Sequence, residues 1–342
     1  MSSMKIEESD IPSQAGKVAL ITGKASHQRK QYFLPDTKPI HINSSIINTG
    51  GSSGIGLATA KILLEKGATV HVLDVNPPLP EEEEEDMLAN TAALPLHYHP
   101  CDVTVWEEQR AAFDAAGPVV DYVFVNAGVF EEEDYFADET DAEGALVEPG
   151  YRVLDVNLRA ACNTVKLAWS RMRKQPAGRP YSIVLTVSAT AYAPEQAYPV
   201  YSGSKSALLG LIRSLRSVMI RDGITINGVA PGATATNLVP AYIAEALAAQ
   251  ASAAVCSPRF VGLALVYSAT AAQDREVQMY GKDEDADLWR RGRWNGRVIL
   301  ALGKSYAELE EPITDLRPFW LGRENAVLMR RAQAAYDLRP AR

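Results

Sequence analysis

Short apolar runs alternating with stretches of helical period constrain this chain more than any other feature. Lys17–Thr22, Thr69–Asp74, Val120–Asn126, Ser182–Val187, Ile224–Ala230 and Arg297–Leu302 are short and rich in β-branched residues, with Leu94–His99 a weaker seventh. Strands that read as near-continuous apolar runs are covered on both faces. Between them, residues 54–66, 151–173 and 203–221 repeat apolar residues at helical spacing. Strand and helix in alternation predict an α/β fold with a doubly wound parallel sheet.

Composition narrows the class. Of 342 residues, 47% are hydrophobic and 22% charged, which excludes a disordered chain. No run of eighteen apolar residues occurs, and Met1–Ser13 lacks the apolar core of a secretory signal. Cys101, Cys162 and Cys256 are far apart, which fits a reducing compartment and a cytoplasmic location rather than a disulfide framework. The net charge is −8, with a run of acids from Glu81 to Asp86, which argues against a nucleic-acid surface. That run reads as a solvated loop. His97, His99 and Cys101 alternate along one candidate strand and could share a face, but the pattern is too thin to assign a metal. Trp289, Trp294, Phe319 and Trp320 are expected to pack in the core or an oligomer seam rather than on a membrane.

A glycine-rich turn, Thr49-Gly50-Gly51-Ser52-Ser53-Gly54-Ile55-Gly56, opens the first helical stretch. Such a turn lets a backbone approach a pyrophosphate closely, and the helix N-terminus then faces the negative charge. Asp74 ends the next strand, eighteen residues past Gly56, at the spacing of a ribose-binding acid. A carboxylate there repels a 2′-phosphate. Ser52, Ser53 and Asn76 supply no cation to attract one, so NAD is favoured over NADP.

The strand before this turn does not run into it. Lys17–Gly23 should lead directly to Gly51, yet residues 24–50 intervene, 27 residues with four cations, one acid and no periodicity. Thr-Gly stands at both edges, as Thr22-Gly23 and Thr49-Gly50, so removing 24–50 or 22–48 leaves the same product. The Gly-Lys and Thr-Gly junctions can encode a splice donor and acceptor, and a structureless loop this long is uncommon in a compact domain. A retained intron is therefore the favoured reading, beside a genuine surface insertion, which loop-closure entropy tolerates. If translated, Ser45–Asn48 competes with Val18–Ile21 for the first strand.

Tyr201 and Lys205 lie four apart and share a helix face. A nearby cation favours phenolate and makes tyrosine a usable general acid/base. Ser188 follows a strand and can hydrogen-bond a substrate oxygen. Asn157 stands mid-helix, where asparagine is a poor helix former. Each has a bland reading alone; together, in this order, they point to catalysis.

With these residues the chain resembles the short-chain dehydrogenase/reductase family over about Gly16 to Gly303. Gly50, Gly54 and Gly56 match its cofactor loop, and Asp102-Val103 its adenine-contacting pair. Asn126-Ala127-Gly128 matches its Asn-Ala-Gly motif, with Val125 in place of a preceding Asn. Asn157, Ser188, Tyr201 and Lys205 match its catalytic tetrad. Pro231-Gly232 through Thr234 and Thr236 match the segment whose threonine holds the nicotinamide carboxamide. The resemblance implies a Rossmann fold over 14–303, with 304–342 as a C-terminal extension. It implies hydride transfer between a carbinol carbon and a nicotinamide, with Asn157 keeping a water that relays protons to Lys205. It also implies a homodimer or homotetramer built on the helices of Asn157 and Tyr201.

Since cellular NAD is mostly oxidised, the expected reaction is oxidation of a secondary alcohol on a hydrophobic molecule. The long tail is similar to fungal secondary-metabolite members, terpenoid pathways included. Residues 237–295 are expected to form the substrate lid, with Tyr242, Ile243, Leu247, Val255 and Phe260 as its apolar residues. The alternatives are an NADPH-dependent ketone reductase and an NAD-binding protein impaired by the interrupted glycine turn.

Overall fold

The structure, a computed structural model, describes residues 4–23, 51–78, 95–131, 134–236 and 254–337. The insertion 24–50, Gly50, the acidic run and Tyr242, Ile243 and Leu247 lie outside the described residues.

Seven parallel strands and one antiparallel edge strand form the central sheet, in the order β10-β9-β6-β5-β4-β1-β2-β3. They are β1 (Val18–Thr22), β2 (Thr69–Asp74), β3 (Leu96–Pro100), β4 (Tyr122–Val125), β5 (Tyr181–Thr186), β6 (Ile224–Pro231), β9 (Val298–Leu302) and β10 (Ser305–Glu308). β7 (Ala272–Gln273) and β8 (Gly292–Arg293) pair separately. Each expected strand is present within a residue or two at its ends. β10 lacks a sequence signal, because an edge strand covered on one side needs no continuous apolar run.

Strand residues alternate between two cores. Leu20, Val123, Ile183 and Leu185 face α2 (Trp106–Ala115), α3 (Ala161–Met172) and α4 (Pro199–Met219). Ala19, Ile21, Phe124 and Val184 face α1 (Gly54–Glu65) and α5 (Pro258–Thr270). The result is a three-layer α/β/α domain in which the strand order reverses between β1 and β4. Ligands of open α/β sheets sit at that reversal, outside the carboxyl ends of the strands.

Two expected helices differ in detail. The stretch around Asn157 is not uniformly α-helical: Arg152–Leu154 leads into a π-helical segment, Asp155–Ala160, before α3 begins. π-turns inside helices often mark functional sites. α4 starts at Pro199, earlier than the apolar period suggests, because proline at N1 loses no hydrogen bond.

After β10 the chain forms α6 (Glu310–Asp315), α7 (Arg317–Trp320) and α8 (Arg323–Ala335). Glu310 is 1% exposed and binds Arg213 through both carboxylate oxygens at 2.7 and 2.8 Å. Arg216 reaches it at 3.4 Å and the Tyr192 hydroxyl donates to it at 2.8 Å. One buried carboxylate so ties the tail to α4 and to the turn after β5. Of the four aromatics singled out above, Trp294 is buried against Tyr267, whereas Trp289, Phe319 and Trp320 are exposed. Among the described residues no helix is long and apolar enough to cross a membrane.

Candidate active site

The carboxyl ends of β1, β4 and β5 carry most of the candidate residues. Thr22 ends β1, and its hydroxyl oxygen accepts from the Asn126 and Ala127 amides at 3.1 and 3.3 Å. The Thr186 hydroxyl donates to Asn126 Oδ1 at 3.0 Å. The Lys205 ammonium donates to the Thr186 carbonyl at 2.9 Å. A Cβ on Gly128 would come within 3.4 Å of Lys205 Nζ and 3.6 Å of Asn157 Oδ1, so glycine keeps that corner open. Asn126, Ala127 and Gly128 thus form the floor between the glycine turn and Lys205.

Asn157 is fully buried and its side chain is committed. Oδ1 accepts from Val129 N at 2.8 Å, while Nδ2 donates to Val129 O at 3.0 Å and to Ser204 Oγ at 3.2 Å. The side chain therefore holds the strand β4 loop against α4.

Ser188 is extended and caps a short 3₁₀ turn, Ala189–Ala191. Its hydroxyl acts on Tyr201, pulling the phenol's pKa down. Tyr201 is the third residue of α4, 7% exposed, with Lys205 one turn on and 3% exposed. Lys205 Nζ lies 5.8 Å from the Tyr201 ring centre. The i,i+4 spacing predicts a phenol lowered by its lysine. Here burial pushes Tyr201 up to about 12, and Ser188 pulls it down. Burial likewise pushes Lys205 down to about 8.

Glu131 escaped the sequence reading. It is nearly buried, and its Oε2 accepts the Tyr201 backbone N–H at 2.8 Å. The N-cap residue Tyr198 gives no side-chain cap, so a carboxylate three residues beyond Gly128 supplies one, on the positive end of the helix. Phe130 packs on Tyr198 and Tyr201, with ring centres 4.5 and 4.9 Å away. An acid just after Asn-Ala-Gly was the available signal, but its helix lies 70 residues on.

The cofactor side is built around Asp74, which is 2% exposed. Its oxygens accept from Ser52 N at 3.2 Å and Asn76 N at 3.1 Å. A Cβ on Gly23 would run into the Asp74 carboxylate and the Gly51 amide. Gly23 and Gly51 therefore abut, and the chain leaves and re-enters at one point. Ser53 is the N-cap of α1, followed by Gly54, with φ +51, by half-buried Ile55 and by buried Gly56. A Cβ on Gly54 would sit 2.9 Å from Thr236 Cγ2, so the glycine turn meets the segment after β6.

That segment is held to the sheet. Pro231 ends β6, Gly232 N donates to Ala301 O at 2.8 Å, and Thr234 Oγ1 donates to Gly232 O at 3.0 Å. Asp102 Oδ1 accepts from Thr104 N and Oγ1, and its amide donates to Glu108. The Val103 side chain is buried in the core, so only its backbone can meet an adenine.

A nicotinamide dinucleotide fits these residues. Among the described residues Ser52 Oγ is buried without a partner beside the left-handed Gly54, a donor that suits a phosphate oxygen. One expectation shifts. Phe260 is no lid residue: it stacks on Tyr306 at 3.9 Å, where α5 covers the sheet. Val255 is exposed. His71, rather than Cys101, joins His97 and His99, with Nδ1 2.8 Å from His99 Nε2, because Cys101 points into the core. A cavity of about 730 Å³ near Arg216, Tyr280 and Arg293 lies at the opposite ends of the strands, away from this chemistry.

The model of the short chain dehydrogenase family matches residues 44–246. The chain is 46% identical over 339 residues to short-chain dehydrogenase/reductase prx4 of Penicillium roqueforti, covering 99% of this chain and 90% of that one. It is 43% identical over 344 residues to short-chain dehydrogenase/reductase ATR7 of Stachybotrys chlorohalonatus, covering 99% and 95%. Its fold is similar to a 3-oxoacyl-[acyl-carrier protein] reductase with bound NAD from Brucella melitensis, with TM-score 0.54, 25% identity and coverage of 78% and 90%.

Proposed function

The chain belongs to the short-chain dehydrogenase family, and we propose that it oxidises a secondary alcohol of a hydrophobic small molecule, a fungal secondary metabolite such as a terpenoid, with NAD. The supporting observation is the convergence of Ser188, Tyr201 and Lys205 at the strand ends, beside the turn that holds Asp74. When bound, the nicotinamide accepts the hydride. The protein does the rest. Ser188 donates to the substrate oxygen and stabilises its developing charge. Tyr201, as the phenolate, takes the hydroxyl proton. Lys205 holds its charge against the Thr186 carbonyl and would hold the nicotinamide ribose. Phe130 and Tyr198 offer an apolar, aromatic wall.

Asp74 favours NAD, since its buried carboxylate would meet a 2′-phosphate with like charge. Initial rates with a panel of hydrophobic secondary alcohols test the reading. Wild type should use NAD, and Asp74→Ser should shift the NAD/NADP ratio of kcat/KM toward NADP by at least ~10-fold, about 1.4 kcal/mol. An unchanged ratio removes the argument for NAD.

One observation favours a second reading. A phenol pushed up to about 12 is already the general acid that carbonyl reduction needs. Turnover of ketones with NADPH, and of no alcohol with NAD, would establish the reductase instead. The groove between α3 and α4, lined by Trp169, Leu211 and Leu215, supports a homodimer or homotetramer.

A further inference from the structure

We propose that Thr190 is a positioning residue that aims the Ser188 proton at the substrate oxygen. The proposal rests on the catalytic reading above. It starts from hydrogen-bond arithmetic: a serine hydroxyl has one proton and two lone pairs. The Thr190 amide lies 3.2 Å from Ser188 Oγ and can only donate, so it fills one lone pair. Thr190 Oγ1 lies 3.0 Å away on the same oxygen. When it donates too, the second lone pair is filled and the Ser188 proton has one direction left, forward to Tyr201 and the substrate.

A hydroxyl that accepts twice is also the better donor, because hydrogen bonds in a chain polarise one another. The local structure keeps the two oxygens in register. Ser188 is extended, with φ −165 and ψ 154, and the 3₁₀ turn brings Thr190 back over it. The β-branched side chain of Thr190 is stiff at χ1. Beyond this turn, Tyr192 is held by the Glu310 carboxylate, so the turn is braced from the far side.

The plain alternative is that Thr190 only caps a turn. In that case its hydroxyl matters for stability and not for turnover. Thr190→Val keeps the backbone N–H and the shape but deletes Oγ1. We expect its kcat to fall about fivefold, the contribution of one well-made hydrogen bond, with KM for NAD and the melting temperature unchanged. The pH limb that reports Tyr201 should move to higher pH, since the bond from Ser188 is what pulls the phenol down. Thr190→Ser should restore both.

Ser188→Ala is the control. Adding Thr190→Val to it should cost nothing further, because the threonine acts through the serine. Full turnover in Ser188→Ala would sink the catalytic reading itself. A Thr190→Val enzyme with unchanged kcat and pH limb, or additive losses in the double variant, would overturn the role of Thr190 while leaving that reading intact.

Discussion

The two ends of the candidate site are built by different means. The catalytic end hangs on regular structure: Ser188 just past β5, Tyr201 and Lys205 on α4, and Asn157 in the π-segment before α3. Each side chain there is buried and cross-braced, down to Glu131 capping the Tyr201 amide. The cofactor end hangs on a turn whose chain is broken by 27 residues in sequence and joined in space at Gly23 and Gly51. Regular elements hold geometry by packing, so they tolerate no interruption. A turn needs only its two ends held together, and the cost of a longer loop grows slowly.

Several experiments would break or sharpen that contrast. The largest effect belongs to the catalytic end. Tyr201→Phe should lower kcat by ~10³-fold or more, within the range of general acid/base contributions, while NAD still quenches intrinsic fluorescence. Retained turnover would remove tyrosine from the proton transfer.

Gly23→Ala tests the junction. Its Cβ has no room between Asp74 and Gly51, so NAD binding measured by titration should weaken by at least ~10-fold. An unaltered Kd would mean that another glycine serves the turn.

Joining Gly23 directly to Gly51 by deleting 24–50 should keep kcat/KM for the alcohol within about threefold, because the deleted chain closes on itself. Loss of folding or of NAD binding would show that the insertion is part of the working enzyme.

The smallest effect lies at the sheet edge. Burial pushes His71 down to about 4, with His97 and His99 beside it. A neutral folded imidazole binds fewer protons than the unfolded one between pH 4 and 6.5. Stability should therefore rise with pH across that window and level above it. His71→Leu should flatten the slope of melting temperature against pH, and an unchanged slope would place the titration elsewhere.

Legibility followed distance along the chain. The strands were readable because each buried face repeats within a few residues, as in Ala19, Leu20 and Ile21. Ser188, Tyr201 and Lys205 were readable because their chemistry has fixed local spacing. Thr190 was two residues from Ser188 and still invisible, since a threonine after a strand has no signature until its hydroxyl is seen on the serine. β10 and Phe260 were misjudged because their burial depends on what packs over them.

The sequence by itself determined the alternation of strand and helix, the glycine turn before α1, Asp74 at the end of β2 and the tyrosine–lysine pair on one helix face. These rest on periodicity and short-range stereochemistry, which act within a turn or a strand. The tertiary structure alone decided that Gly23 abuts Gly51, that Glu131 caps α4, that Glu310 binds Arg213 and Arg216 across 97 and 94 residues, and that burial lifts the phenol of Tyr201. The physical reason is common to all four. A glycine, an acid or a tyrosine is chemically the same wherever it stands, and only the surroundings brought by the fold choose its neighbours and set its charge.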